Sequence, residues 1–263
     1  MVRTIKLDYI TKIEVHASLT LKIEKGKVKL CHLEAIEGAR LFEHLVINHK
    51  FDQVQEIVSR ICGICSCAHS VCAVQALENA LNIKVSEQTK IVRELLMIGE
   101  RIRSHVTHLY FLALPDYLGY ESAIEMAKNH RKEINDSIKL MQIGNEIITV
   151  LSGREIHPFL VVGGLAKLPM QEDVIKIRKK LENSKKDFIK TANLFLKLKY
   201  PKYENRLEYF SLKKPKEYAI IDGSVCSDSG CINTKDYKNH IKENMVEYAT
   251  AKFALKDNKI FMP

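Results

Sequence analysis

The sequence predicts an α+β fold in which N-terminal antiparallel strands pack on a bundle of long helices, and a loop-rich C-terminal third follows. Apolar and polar residues alternate within 1–36, as in half-buried strands. Three long stretches within 37–199 carry apolar residues at helical spacing. From 200 to 263, short apolar pieces alternate with Gly, Asp and Ser, a pattern typical of loops and short strands. We therefore expect one domain spanning 1–263.

The first strands are indicated by alternation between 19 and 24 and by Lys25-Gly26, which reads as the turn into the next strand. Glu14 and His16 stand just before this pattern. An acid and a histidine this close suit a catalytic pair or a surface pair beside a turn. Their spacing alone favours the surface pair.

A broken helical pattern covers 37–58 and contains Glu43 among apolar residues, three positions after Arg40. A carboxylate in such surroundings is usually half-buried against a basic neighbour. We therefore expect an ion pair between Arg40 and Glu43.

The most informative stretch runs from Arg60 to His69. Cys62 and Cys65 stand three residues apart with Gly63 between them, and such a turn lets two thiolates converge on one metal ion. Arg60 beside the pair favours the thiolate over the thiol. Helical spacing from 66 to 81 places Cys65 and His69 on one face, one turn apart. The stretch therefore predicts a soft-ligand metal site or a redox dithiol at the start of a helix.

A Cys-x-x-Cys pair also occurs in other kinds of protein site. Half of a structural zinc site would need a second pair at zinc-finger spacing, and a thioredoxin-like redox site would need a preceding strand; neither pattern is present. A small zinc-binding helical domain stays open as a hypothesis. Its candidate ligands are Cys62, Cys65, Cys67, and His69 or Cys72.

The cysteine pattern also bears on the compartment. Four of the seven cysteines cluster between 62 and 72, which favours a reducing compartment and metal chemistry over a disulfide scaffold. Cys226 and Cys231 stand five residues apart. This separation is wider than in the first pair, so we interpret them as ordinary thiols.

The long helices have recognisable ends. Ser86 is the expected N-cap of a helix that Pro115 stops. Two further helices are predicted over 122–151 and from Gln171 to about 199. The predicted apolar stripe of the first helix consists of Ile91, Leu95, Ile98 and Ile102.

Polar side chains near these helix ends are further candidates. His105 and His108 share a helix face and suit metal ligation or, equally, a core pair of hydrogen-bonded rings. Asp116 suits a turn cap. Arg154 and His157 lie between predicted helices, where they would line a pocket or stabilise a crossover.

Charge and hydropathy exclude two classes of protein. The formal net charge is +9, but the lysines are scattered along helices and no nucleic-acid-binding motif accompanies them. No apolar run reaches membrane-spanning length, and the N-terminus lacks the apolar segment of a signal peptide. We therefore expect no nucleic-acid partner, no membrane span and a cytoplasmic location.

Taken together, these motifs resemble the large subunit of nickel-iron hydrogenases. The similarity is greatest to the cytoplasmic archaeal type that works with heterodisulfide reductase, flavin or sulfur-reducing partners. It covers essentially the whole chain, as an incomplete large-subunit fold. The segments that carry it are 13–16, 60–69, 104–108, 114–116, 153–158, 163–164, 218–223 and 248–252.

The resemblance implies a nickel-iron centre. Cys62 would be a terminal nickel ligand and Cys65 would bridge nickel and iron, because soft thiolates suit both metals. The iron would carry carbonyl and cyanide ligands. Glu43 is similar to the carboxylate that holds a distant magnesium or iron ion.

The resemblance also assigns roles around the metals. Glu14 would relay a proton from a nickel-bound thiolate, and Asp116 is similar to an acid near the metals. His69 would contact a cysteine sulfur, and Arg60 belongs to the same cofactor-binding motif. The implied reaction is reversible heterolytic cleavage of H2, with electrons passed to an iron-sulfur small subunit.

The sequence departs from the family in two ways. Val15 replaces a glycine, and the C-terminal Asp-Pro-Cys-x-x-Cys motif with its two further cysteines is not within 1–263. We therefore expect this chain to be inactive alone, as the fragment of a catalytic subunit left by a truncated gene, an incomplete assembly, or a split subunit whose C-terminal segment is a separate polypeptide. A non-catalytic scaffold, like the relative in respiratory complex I that lacks the metal cysteines, is the alternative; the retained cysteines argue against it.

Overall fold

The computed structural model describes residues 2–13, 16–38, 40–204, 208–256 and 259–260. The chain divides into two compact units, one formed by 1–47 with 204–263 and the other by 48–203. The fold is α+β, as predicted, with antiparallel strands, long helices and a C-terminal third of short strands. The extent of a single domain over 1–263 stays a prediction.

The N-terminal sheet has the predicted antiparallel order β1-β2-β3. β1 is Val2–Leu7, β2 is Ala17–Glu24 and β3 is Lys27–Ala35. The β2–β3 turn falls at Lys25-Gly26, where both residues have positive φ. The short α1, Leu41–Leu45, follows.

Seven helices form the second unit. Their bounds are Phe51–Val58 (α2), Ser66–Leu81 (α3), Glu87–Thr107 (α4), Leu114–Leu118 (α5), Ala123–Met126 (α6), Arg131–Ser152 (α7) and Gln171–Leu196 (α8). As predicted, α3 begins at Ser66 and Ser86 caps α4, with its Oγ accepting the Thr89 N–H at 3.2 Å. None of the helices in the described segments combines the length and apolar character needed to cross a membrane.

The prediction that Pro115 stops α4 is wrong. A π-helical segment, His108–Ala113, continues α4 directly into α5. Pro115 lies in the first turn of α5, where its missing N–H costs little because the hydrogen-bonding register has already changed. Asp116 is therefore a helical residue rather than the cap of a turn.

The predicted helix over 122–151 is interrupted between α6 and α7. His130 has non-helical dihedral angles, φ −122° and ψ 42°. Its ring packs edge-on against Tyr120, and the Asn129 side-chain amide donates to the Tyr120 hydroxyl at 3.1 Å. These local contacts compete with helix formation at the break.

The predicted apolar stripe of α4 is not its buried face. Ile91 is 54% exposed, and Leu95 and Ile98 are also exposed. The buried face instead combines apolar residues with three charged residues, and its members include Val92, Arg93, Leu96, Met97, Glu100 and Arg103. The charged side chains are buried because each has ionic or hydrogen-bonding partners within the unit.

α4 and α7 pack closely at a pair of glycines. A Cβ at position 144 would lie 2.7 Å from the carbonyl oxygen of Gly99, and a Cβ at position 99 would lie 2.8 Å from Cγ2 of Ile147. The absence of side chains at Gly99 and Gly144 therefore allows the two backbones to approach.

The C-terminal part of the first unit contains two three-stranded antiparallel sheets. The first is formed by Phe210–Lys213 (β4), Ser224–Ser227 (β5) and Gly230–Ile232 (β6). A short helix, Tyr237–His240 (α9), precedes Ile241–Asn244 (β7), Phe253–Lys256 (β8) and Lys259–Ile260 (β9).

Cys226 and Cys231 form a disulfide, which corrects their interpretation as ordinary thiols. They lie directly opposite each other on β5 and β6, with Cα atoms 4.0 Å apart. The strand pairing therefore brings together two cysteines whose sequence spacing looked too wide for a paired role.

Candidate metal centre

The Cys62–Cys65 turn links a 3₁₀ turn, Ser59–Ile61, to the start of α3. Cys65 is the N-cap of α3, and its N–H donates to Sγ of Cys62 at 3.2 Å. Both side chains are half-buried and neither forms a disulfide. The turn therefore offers two sulfur ligands three residues apart, a donor set suited to a soft metal.

Glu100 and Arg103 of α4 hold this turn, and the sequence analysis missed both. The Glu100 carboxylate accepts the N–H groups of Cys67 and Ala68, at 2.6 and 3.1 Å. Arg103 donates through Nη2 to the carbonyl oxygen of Ile64 at 2.7 Å. Glu100 and Arg103 are 4% and 6% exposed, and their nearest charged atoms are 3.9 Å apart. The signal in the sequence was the helical spacing that places Glu100 and Arg103 on the same face of α4 as its buried apolar residues.

Cys67 lies next to the turn but has different chemistry. Its side chain is fully buried, and burial together with the Glu100 carboxylate raises the pKa of the Cys67 thiol well above its usual range. Burial also raises the pKa of Glu100. Burial and the neighbouring carboxylate therefore make Cys67 poorly suited to ionise in the metal-free chain.

The described residues contain no group of three or more His, Cys, Asp or Glu side chains arranged to hold a metal ion. This finding gives the four-ligand zinc alternative no geometric support. The two thiols of Cys62 and Cys65 fit a nickel-iron centre as half of a four-thiolate set.

A second buried ion pair joins the opposite end of α3 to α4. Arg93 donates to both carboxylate oxygens of Glu78, at 2.8 and 2.7 Å. Glu78 also accepts the Gly163 N–H at 2.7 Å, and Arg93 contacts the carbonyl oxygen of Val161 at 3.2 Å. Burial acts to raise the pKa of Glu78, but the bonds from Arg93 and Gly163 lower it overall.

Arg60 does not stand alone beside the cysteines. It is ion-paired with Glu56, whose carboxylate also accepts a hydrogen bond from Arg154 at 3.0 Å. Although burial acts to raise the pKa of Glu56, these two guanidinium groups lower it. The Glu56 carboxylate therefore offsets part of the positive potential that Arg60 was expected to exert on a cysteine thiolate.

The loop with Arg154 and His157 is a hydrogen-bonded crossover. The His157 N–H donates to Oγ of Ser66 at 3.1 Å, and Nδ1 lies 2.8 Å from the carbonyl oxygen of Ser59. His157 has a φ of 55°, in the left-handed region. The crossover thus contacts the chain on both sides of the cysteine turn.

The histidines predicted as candidates differ in their environments. His69 is half-buried, and burial lowers its pKa, which favours the neutral ring. Its N–H bonds the Cys65 carbonyl oxygen at 3.3 Å, so the two residues are one turn apart as predicted. His105 and His108 are exposed, so the interpretation as a core pair is wrong.

The acidic candidates are less closely tied to the turn. Glu14 lies outside the described residues, as does Val15. Asp116 is exposed on α5. The metal and proton-transfer roles of these residues, like those of Cys62 and Cys65, stay predictions.

Glu43 is exposed rather than half-buried. Its Oε1 lies 3.0 Å from Lys252 Nζ, and its Oε2 lies 3.7 Å from Arg40 Nε, which confirms the predicted Arg40 pair. A hydrogen bond from Lys252 lowers the pKa of Glu43, with Arg40 adding to the effect. The carboxylate is thus ionised and neighbours two cations, while its role toward a distant metal stays a prediction.

Comparison with known proteins identifies similar sequences. Residues 40–146 match the family model described as nickel-dependent hydrogenase. The chain is 34% identical to the alpha subunit of sulfhydrogenase 1 from Pyrococcus furiosus, over 98% of this chain and 61% of the relative. It is 40% identical to the alpha subunit of sulfhydrogenase 2 from the same organism, over 66% of this chain and 42% of the relative.

Solved structures share the fold. An NAD+-reducing [NiFe]-hydrogenase in the H2-reduced state matches with a TM-score of 0.79 at 23% identity, over 97% of this chain and 62% of that chain. The Ni-Fe-Se hydrogenase from D. vulgaris Hildenborough matches with a TM-score of 0.75 at 20% identity, over 98% and 64%. This chain therefore spans less than two thirds of these relatives.

Proposed function

The chain belongs to the nickel-dependent hydrogenase family, and we propose on that premise that it forms part of a large subunit that cleaves H2 reversibly. The observation that carries the proposal is the Cys62–Cys65 turn, with two half-buried thiols at the start of a helix. Cys62 and Cys65 would hold a nickel-iron centre. When bound, that centre supplies the heterolytic cleavage of H2 into a proton and a hydride.

The residues of this chain would prepare the site. The Cys65 N–H stabilises negative charge on the Cys62 sulfur, and the nearby guanidinium groups of Arg60 and Arg154 add positive potential, although Glu56 offsets part of it. A neutral His69 suits a hydrogen bond to a cysteine sulfur. Glu14 would carry the proton away from the metals, and Asp116 would lie near them.

The proposal includes ligands and partners beyond these residues. Carbonyl and cyanide would complete the iron, and Glu43 would hold a second ion, magnesium or iron. Electrons would pass to an iron-sulfur small subunit, because the five cysteines outside the disulfide do not have the spacing of an iron-sulfur cluster set. Flavin or heterodisulfide-reductase-type subunits would act further along, in the cytoplasm.

The test uses the native assembly that contains this chain, purified without oxygen. Its nickel and iron contents and its H2-dependent dye reduction are measured for the native chain and for Cys62→Ser and Cys65→Ser. We expect both substitutions to abolish activity and to lower the metal content. Cys72→Ser is the matched control, because Cys72 is an exposed thiol on the same helix.

Three results would contradict the proposal. An assembly that retains nickel and activity after both substitutions would show that the turn does not hold the metal. An assembly that contains neither nickel nor H2-dependent activity, with Cys62 and Cys65 intact, would favour the non-catalytic scaffold. Zinc in place of nickel and iron would favour the zinc-binding alternative.

A further inference from the structure

The cysteine turn is held from one side by two buried charged residues of α4, which bond its backbone. Glu100 bonds the first turn of α3, and Arg103 bonds the carbonyl group of Ile64 inside the Cys-x-x-Cys sequence. We propose that Glu100 and Arg103 are positioning residues that set the conformation of the Cys62–Cys65 turn. The inference deepens the proposed function, and only its nickel readout rests on that function.

Glu100 provides the side-chain hydrogen-bond acceptor that the N-cap residue of α3 does not provide. The first N–H groups of a helix have no partners within the helix, and Cys65, at the N-cap, provides no side-chain bond to them. Both oxygens of Glu100 accept such groups, from Cys67 and Ala68. Because this end of α3 is buried, loss of the Glu100 carboxylate would leave the N–H groups of Cys67 and Ala68 unpaired. The Cys62–Cys65 turn, which leads into this helix end, would then be held less firmly.

Arg103 fixes the turn itself. One guanidinium group bonds two separate segments, through Nη2 to the carbonyl oxygen of Ile64 and through Nη1 to that of Glu155 at 2.8 Å. Ile64 directly precedes Cys65, so its peptide orientation decides where the second sulfur points. A lysine would keep the charge but could not reproduce the planar fork that joins both carbonyl groups.

The chain contains a matched control for this role. Glu78 and Arg93 form an equally buried acid–guanidinium pair between α3 and α4, and Glu78 also accepts a backbone N–H, that of Gly163. This pair lies toward the opposite end of α3 from the cysteine turn. Glu78→Gln therefore removes a similar interaction without removing a bond to the turn.

The first experiment measures thiol reactivity in the metal-free chain. Iodoacetamide labelling is followed by mass spectrometry at Cys62 and Cys65, with the exposed Cys31 and Cys72 as internal references. We expect Glu100→Gln and Arg103→Lys to raise the relative labelling rates of Cys62 and Cys65 several-fold, and Glu78→Gln to leave them unchanged. Equal rates in all variants, or an equal rise in Glu78→Gln, would overturn the proposal.

The second experiment titrates the chain with Ni²⁺ alone under nitrogen and follows the thiolate-to-nickel absorption. Loss of a residue that orients metal ligands typically weakens binding by about 10- to 100-fold. We expect this loss for Glu100→Gln and Arg103→Lys but not for Glu78→Gln. Equal nickel affinity in all variants would overturn the positioning role alone. If the native chain binds no nickel through Cys62 and Cys65, the turn is not a nickel site without its other ligands; the native assembly then decides the proposed function, and the labelling rates decide the positioning role.

Discussion

Charged residues in the interior of the helical unit are the feature that residue patterns predicted least well. The Cys62–Cys65 turn, the N-cap at Ser86 and the Arg40–Glu43 pair follow from local sequence and are present. Burial of Glu100 does not follow, because its partners are backbone groups more than thirty residues away. Spacing along a helix places a side chain on a face but does not say which face is buried.

Glu78 makes the stability of the helical unit depend on pH. Its pKa is lowered from 4.5 in the folded state by Arg93 and Gly163, so its contribution is present above pH 4.5 and is lost as the pH falls through the lowered pKa. Breaking a buried ion pair costs about 3–5 kcal/mol. We expect Glu78→Gln to lower the free energy of unfolding by about this amount at pH 7, and by progressively less below pH 4.5.

Urea denaturation of both proteins across this pH range measures the difference. Lys176→Gln is a suitable control, since it changes a charge in an exposed ion pair of α8. A difference between the native chain and Glu78→Gln that stays constant down to strongly acidic pH would contradict the assignment of the ionised carboxylate.

At the scale of elements, both ends of α3 and the starts of α4 and α8 were predicted correctly, whereas the end of α4, the start of α7 and the buried face of α4 were not. α3, α4 and α8 begin at the predicted residues because caps and periodicity are local signals. The prediction that Pro115 ends the helix failed because the preceding π-helical segment changes the hydrogen-bonding register, so that an N–H at position 115 is not needed. The stripe that begins at Ile91 was wrongly predicted to be the buried face, because both faces of α4 carry apolar residues and only tertiary contacts distinguish them.

The crossing of α4 and α7 depends on Gly144. A Cβ there would meet the carbonyl oxygen of Gly99 at 2.7 Å and Arg103 N at 2.9 Å, both backbone atoms that cannot move independently. We expect Gly144→Ala to lower the free energy of unfolding by about 1–3 kcal/mol, despite the higher helix propensity of alanine. Thermal and urea unfolding would measure this loss.

Gly164→Ala is the control for that substitution, because a Cβ at position 164 has no neighbouring atom within 4 Å. We expect it to leave the stability nearly unchanged. Equal stability of the native chain and Gly144→Ala would show that the helices separate at no cost and that the crossing is not constrained by its glycines.

The Cys226–Cys231 disulfide should stabilise the β5–β6 hairpin. Cross-linking a loop this short contributes about 2 kcal/mol in the chain-entropy model. We expect reduction by dithiothreitol to lower the unfolding temperature of the segment that contains β4, β5 and β6. The double variant Cys226→Ser/Cys231→Ser should unfold at the same temperature with and without reductant, and an unchanged native temperature on complete reduction would refute the stabilising role.

At the scale of the whole molecule, the sequence predicted the fold class because strand alternation, helical periodicity and loop composition occupy separate parts of the chain. It could not predict the disulfide, since cross-strand register is set by the folded hairpin rather than by spacing. The sequence also identified the two thiols, Cys62 and Cys65, but not Glu100 and Arg103, which hold the turn between them. Those residues lie on a helix whose pairing with α3 only the fold determines.

The 263-residue chain offers two of the four thiolates that the resemblance implies. We therefore expect this polypeptide, expressed alone, to show no H2-dependent reduction of viologen dyes. Supplying a C-terminal segment with the second cysteine pair, together with the maturation machinery and the small subunit, should produce activity. Turnover by the isolated 263-residue chain would contradict the requirement for four thiolates.

The contacts that join α4 to both ends of α3 have a consequence for motion. Arg93 and Arg103 are ten residues apart on α4, or about 15 Å, so α3 is fastened near both ends to one rigid helix. Neither helix can slide or rotate past the other without breaking the buried hydrogen bonds from Arg93 to Glu78 or from the Cys67 N–H to Glu100. The amide protons of Cys67 and Ala68, which share the Glu100 acceptor, should then exchange with solvent together through one local opening, whereas that of Gly163, which bonds Glu78 at the other end of α3, should report a separate opening.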